Sequence, residues 1–122
     1  MSDLYREIIV ENYRHPKNFG HLKKPDVVYE KANTLCGDKM RIELSIDKKT
    51  KKVSDIKFSG EGCAISIATA SMLTAKLKGQ SISFLQSLSK DDILKIIGID
   101  LSPTRLKCAL LPLEAIQEAI GR

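Results

Sequence analysis

Two stretches of strict alternation constrain this chain more than any other feature. In MRIELSI, Met40, Ile42, Leu44 and Ile46 alternate with Arg41, Glu43 and Ser45, and in VSDIKFSG, Ile56 and Phe58 alternate with Asp55, Lys57 and Ser59. Successive side chains of a strand point to opposite faces, so a period of two gives each segment one apolar and one polar face. The tract DKKTKK at 47–52 separates them and reads as a solvated turn. The pair predicts an antiparallel hairpin with one buried face, and VVYEKA at 27–32 offers a third short strand. Such a sheet needs a second layer over its apolar side.

Helical patterns supply that layer. Residues 3–14 place Leu4 and Ile8 four apart beside a stripe of Tyr5, Ile9 and Tyr13, and RHPKNFG ends the pattern with a proline and a glycine. From Cys63, CAISIATASMLTAKLKG reads as a helix closed by Gly79, with Ala, Ser and Thr small enough to pack close to a sheet. Ser89 and Asp92 fit a capping box for a short helix ending at Gly98. In CALLPLEAIQEAIGR, Leu110, Leu113, Ala115, Ile116 and Ile120 mark a C-terminal helix. Pro112, which a helix tolerates in its first turn, sets the predicted start near Cys108. The expected fold class is α+β: a small three-stranded antiparallel sheet with helices packed on one face, in a single domain over residues 1–122.

At 122 residues, with 43% hydrophobic and 29% charged side chains, the chain can bury a core without disulfides or a structural metal. The N-terminal stretch MSDLYREIIVENYRHPKN mixes acids and bases throughout, so no signal peptide or membrane span is expected, and the expected location is cytoplasmic. The net charge of +5 comes from scattered basic residues, and the lysines at 47–52 have no interleaved aromatics, so nucleic acid is not an expected partner. No Ser-His-Asp set, phosphate-binding glycine loop or pair of catalytic carboxylates stands out, and no catalytic residue is assigned. His15 and His21 flank the loop after the first helix and read as surface or loop-packing side chains.

The three cysteines are too few for a disulfide framework and odd in number, which favours thiols, a metal site or sulfur chemistry. Singly, each reads as readily as a small buried hydrophobe. Together they form a pattern, because each falls at a joint between predicted elements. Cys36 lies in a loop with Lys39 and Arg41 close behind, Cys63 follows a glycine turn at a helix start, and Cys108 follows Arg105 and Lys107. Cations and helix N-termini favour the thiolate. Asp38, two residues after Cys36, could add an oxygen to three sulfurs, a set that suits tetrahedral zinc or the outer coordination of an iron-sulfur cluster. There is no C-x-x-C, so neither a zinc ribbon nor a ferredoxin pattern is present.

The segments LYREIIVENYRHPKNFG, NTLCGDKMRIEL, FSGEGCAISIATASML and RLKCALLPLEAI resemble, in order and spacing, the iron-sulfur cluster assembly scaffolds IscU, SufU and the N-terminal domain of NifU, over nearly the whole chain. The resemblance implies a scaffold and sulfur acceptor rather than an enzyme. It would receive sulfur from a cysteine desulfurase, bind iron and build a labile [2Fe-2S] cluster for transfer to apo iron-sulfur proteins. Cys36, Asp38, Cys63 and Cys108 match the family's ligand positions, Cys36 and Cys108 are the candidate sulfur acceptors, and Arg105 and Lys107 are auxiliary cations. A monomer or a cluster-bridged dimer would satisfy it.

Two departures stand out. Lys107 precedes the third cysteine where IscU-type proteins resemble each other in having His, and in this the chain is similar to SufU. The SufU alternative is a zinc-dependent sulfurtransferase partner, with Zn2+ at the same ligands and persulfide accepted from the desulfurase. The step from Cys63 to Cys108, however, lacks the insertion usual in SufU-type proteins. The L-P-P-V-K segment that engages an Hsp70-type chaperone is kept only as LSPTR, through Leu101, Pro103 and Arg105, so that partner stays open.

Overall fold

A computed structural model describes residues 3–34 and 37–121. The elements run α1 (Asp3–Arg14), β1 (Val27–Asn33), β2 (Asp38–Asp47), β3 (Lys52–Glu61), α2 (Ala64–Leu77), α3 (Ile82–Ser87), α4 (Lys90–Ile97) and α5 (Pro103–Ala119). The strands form one antiparallel sheet in the order β1-β2-β3, with Leu44 opposite Val27 on one side and Ile56 on the other. The expected α+β architecture is present.

The alternation decides which face is covered. Met40, Ile42 and Leu44 of β2 and Val53, Ile56 and Phe58 of β3 are buried in one cluster with Leu73 and Leu77 of α2 and Leu111 and Ile116 of α5. Each fully buried aliphatic side chain contributes about 1.5–3 kcal/mol relative to exposure. The same face of β1 is tied to α5 by polar contacts: Tyr29 donates its hydroxyl to Glu118 at 2.7 Å, and Lys31 Nζ lies 2.7 Å from the other Glu118 oxygen. The hydrogen bonds from Lys31 and Tyr29 hold the Glu118 carboxyl below its ordinary range.

α2 is buried on several sides rather than along one stripe, since Ser66, Ile67, Ala68, Thr69, Ala70, Ser71, Leu73, Thr74 and Leu77 are all inside. Its hydroxyls are satisfied at close quarters. Thr69 donates to the Ile65 carbonyl at 2.6 Å and Thr74 to that of Ala70 at 2.7 Å, while Ser71 donates to Asn12 Oδ1 at 2.6 Å and accepts the Lys17 amide at 2.8 Å. The polar residue Asn12, with Ile9, therefore forms the inner face of α1, whereas Leu4 and Tyr13 are exposed.

The chain between α1 and β1 crosses the sheet. Asn18 and Gly20 bond to Phe58 at the free edge of β3, and Asp26, just before β1, bonds to Leu44 and Ile46 of the central strand β2. Midway, Glu43 of β2 takes His21 Nδ1 at 2.6 Å, the Leu22 amide at 3.0 Å and Arg41 Nε at 3.1 Å. The alternation puts Glu43 on the polar face, yet this loop leaves it only 2% exposed. Burial pushes its carboxyl up, but the bonds from His21, Leu22 and Arg41 outweigh that and hold it below the ordinary range.

The last helix corrects the sequence reading. It starts at Pro103, with Ser102 accepting the Arg105 amide, so Cys108 lies in its second turn and Pro112 lies in the helix interior. Ser-Pro supplies both a cap and a proline at the first position. Burial of Leu111, Pro112, Leu113, Ala115 and Ile116 offsets the roughly 3 kcal/mol cost of an interior proline. α3 has no counterpart in the sequence reading, although Ser81 caps it by accepting the Phe84 amide at 3.1 Å. The predicted Ser89–Asp92 pair caps α4, with the Asp92 carboxylate accepting the Ser89 amide at 2.8 Å and the Ser89 hydroxyl at 3.1 Å. Among the described residues no helix is long and apolar enough to cross a membrane.

Candidate metal centre

Three chain segments meet at the end of the sheet away from the 47–52 turn. Asp38 opens β2, paired with Asn33 of β1. Cys63 follows the end of β3 and is the N-cap of α2, and Cys108 projects from the second turn of α5. One oxygen of Asp38 and the sulfurs of Cys63 and Cys108 all lie within 4.8 Å of one another. A single cation, held about 2.0–2.3 Å from each donor, fits a cluster of that size after small side-chain adjustments.

The turn before Cys63 is built for close approach. Gly60 has φ +127°, and a Cβ there would lie 2.2 Å from the carbonyl oxygen of Lys39. Glycine at this position lets the end of β3 lie flat against the start of β2. That approach brings the Cys63 amide to Asp38 Oδ1 at 3.1 Å, so the carboxylate braces the helix start.

The other Asp38 oxygen has a different environment. Asp38 is 4% exposed, and its Oδ2 is enclosed with no hydrogen-bond donor among the described residues. A buried acceptor without a partner costs about 1–3 kcal/mol. Carboxylate oxygen and thiolate sulfur are both ligands for zinc and iron, and a cation beside Cys63 and Cys108 would satisfy the orphaned oxygen. The donor set present therefore fits a thiophilic metal.

Of the residues singled out from sequence, Asp38, Cys63 and Cys108 come together, and Cys36 lies outside the described residues. Cys63 is half-buried and Cys108 is fully buried. Arg105 and Lys107 have exposed side chains on the first turns of α5. Lys107 borders a hollow of about 310 Å³ together with Lys31, Asn33, Thr34 and Glu114. His21 packs the crossing loop against Glu43, as a loop-packing histidine should. Sequence reasoning missed the Ser66 hydroxyl, which is buried beside Cys63. Its signal was available: a serine three residues into a helix whose cap is a cysteine.

The family model described as the NifU-like N terminal domain matches residues 4–122. The chain belongs to this family. It is 34% identical to a Bacillus subtilis protein named zinc-dependent sulfurtransferase SufU, over 100% of this chain and 92% of that protein. That match extends over 139 residues, so the relative carries residues that this chain of 122 lacks. It is 38% identical to the Drosophila melanogaster protein named iron-sulfur cluster assembly enzyme IscU, over 97% of this chain and 77% of the relative. A crystal structure of a candidate SUF-system scaffold from Fervidobacterium islandicum superposes with a TM-score of 0.83, covering 98% of this chain and 99% of that one, and at 23% identity it speaks to the fold alone.

Proposed function

We propose that this NifU-like domain, taken as one unit over residues 1–122, is an iron-sulfur cluster assembly scaffold. It accepts sulfur from a cysteine desulfurase, binds iron, and builds a labile [2Fe-2S] cluster as cargo for apo iron-sulfur proteins. The observation that carries the reading is the convergence of Asp38, Cys63 and Cys108, together with the burial of an Asp38 oxygen that has no donor among the described residues. Cys36, two residues before Asp38, supplies the fourth ligand. Thiolates accept sulfane sulfur as persulfide and also ligate iron, so one set of residues serves both steps, with an external thiol or electron-transfer reductant supplying the two electrons that turn each sulfane sulfur into sulfide. Cys36 and Cys108 are the sulfur acceptors, and Lys107 and Arg105 favour anionic sulfur at the rim.

Asp38 gives the site its lability. One of its oxygens is already committed to the Cys63 amide, and a carboxylate is a harder ligand than its sulfur neighbours. Asp38→Ala is expected to slow cluster release to an apo-ferredoxin, followed by absorbance of the sulfide-to-iron bands. Faster release would contradict this role.

The second reading, zinc-dependent sulfur transfer, is favoured by Lys107 and by the name of the Bacillus relative. Anaerobic incubation with iron, L-cysteine and a desulfurase, followed by iron, sulfide and zinc analysis, separates the two. The scaffold reading predicts a cluster with iron and sulfide in equal amounts that moves to an apo-protein. Retained zinc with faster desulfurase turnover and no cluster would replace it with the sulfurtransferase reading.

A further inference from the structure

The Ser66 hydroxyl sits in an unusual position. It is fully buried at the third residue of α2 and donates to the Cys63 carbonyl at 3.1 Å, while Ser66 Oγ accepts from the Cys63 thiol, whose Sγ lies 3.8 Å away. That carbonyl also accepts the Ile67 amide at 3.1 Å, so it does not depend on Ser66. The hydroxyl hydrogen has a second acceptor within reach whenever the sulfur carries no proton of its own, which is the state of a metal-bound thiolate.

Gly62 is matched to this hydroxyl. It does not have a positive φ, so its backbone would accept a side chain. A Cβ at position 62 would nevertheless lie 2.2 Å from Ser66 Oγ, whereas the next nearest atoms, Ile67 Cδ1 and Ser66 Cβ, are at an ordinary 3.5 Å. What excludes a side chain here is the hydroxyl, not the chain path.

We propose that Ser66 is a positioning residue for the Cys63 sulfur. When Cys63 ligates a metal, the Ser66 hydroxyl turns from the Cys63 carbonyl to donate to Sγ, and Gly62 is bare so that the hydroxyl can stay within reach. The inference rests on the ligand role given to Cys63 above. A hydrogen bond to a coordinated thiolate withdraws electron density from sulfur, fixes its orientation, and tunes the metal it holds. It forms without any covalent step, because the hydroxyl proton only changes acceptor.

The test uses Co2+ as probe in the full-length protein, together with thermal unfolding of the metal-free form. In Ser66→Ala the sulfur-to-cobalt charge-transfer band is expected at longer wavelength than in the parent, with Co2+ affinity lower by roughly tenfold. Gly62→Ala is expected to lower the melting temperature when Ser66 is present and to have little effect in the Ser66→Ala background, because the colliding atom is gone. An unshifted band in Ser66→Ala, or a Gly62→Ala penalty equal in both backgrounds, overturns the proposal. Absence of any sulfur-to-cobalt band in the parent overturns the ligand reading itself, and this inference with it.

Discussion

The two ends of the sheet treat their polar groups in opposite ways. At the 47–52 turn, Asp47 accepts the amides of Lys49 at 2.9 Å and Thr50 at 3.2 Å, and its carbonyl accepts that of Lys51. The segment 79–82 closes over the same turn, with Val53 and Gln80, Gly79 and Val53, and Ile82 and Lys51 joined by backbone bonds. At the other end, Asp38 lies near two sulfurs and is buried with one oxygen braced by Cys63 and one without a donor among the described residues. One end spends its polar groups on local structure, and the other leaves a buried carboxylate oxygen without a donor among the described residues. A fold tolerates such an oxygen where a ligand completes it.

The largest expected effect separates the two ends by function. Cys63→Ala should abolish retention of zinc or cluster while leaving the protein folded, whereas Asp47→Ala should leave metal content unchanged. Metal analysis after gel filtration, with circular dichroism for the fold, checks both. A Cys63→Ala protein that keeps its metal would remove the contrast.

Gly60→Ala breaks the geometry that brings β3 to Asp38. The left-handed backbone and the 2.2 Å approach to Lys39 predict a loss of about 3 kcal/mol in chemical denaturation. A neutral result would mean that β2 and β3 can separate here at no cost.

Glu43→Ala should cost about 2 kcal/mol, since it leaves the Leu22 amide and Arg41 without a shared acceptor. The sign of its pH dependence follows from the lowered pKa. The stabilisation is fully present above the unfolded carboxyl value of about 4.3 and is lost as pH falls through the lower folded value. Glu43→Gln should flatten the acid limb of stability against pH, and an unchanged limb would assign acid sensitivity elsewhere.

The smallest effect lies at the satisfied end. Lys51 has φ +58°, a left-handed conformation that glycine adopts freely. Lys51→Gly should stabilise the protein by about 0.5 kcal/mol and leave metal binding untouched.

β2 and β3 were legible because one face of each is buried and period two is then enforced, and β1 keeps the same alternation with a half-buried inner face. α4 was legible because its caps are local. α2 was legible as a helix whose small Ala, Ser and Thr residues pack close to the sheet, but its burial on several sides was not, because the partners of its hydroxyls, Asn12 among them, are set by the fold. The start of α5 was misplaced because an interior proline is costly in isolation and only tertiary burial of Leu111 and Pro112 tolerates it. Of the candidate ligands, Asp38 and Cys63 stand at element joints as the sequence suggested, whereas Cys108 lies inside α5 and still reaches them. The orphaned oxygen and the Gly62–Ser66 fit depend on atoms brought together across the chain.

X-ray absorption at the zinc edge of the zinc-loaded protein tests the central claim most directly. The account predicts a first shell of sulfurs at about 2.3 Å with one nearer oxygen, fewer sulfurs in Cys63→Ala, and an altered oxygen contribution in Asp38→Ala. A shell of nitrogen and oxygen only, or a sulfur count unchanged by Cys63→Ala, would contradict it.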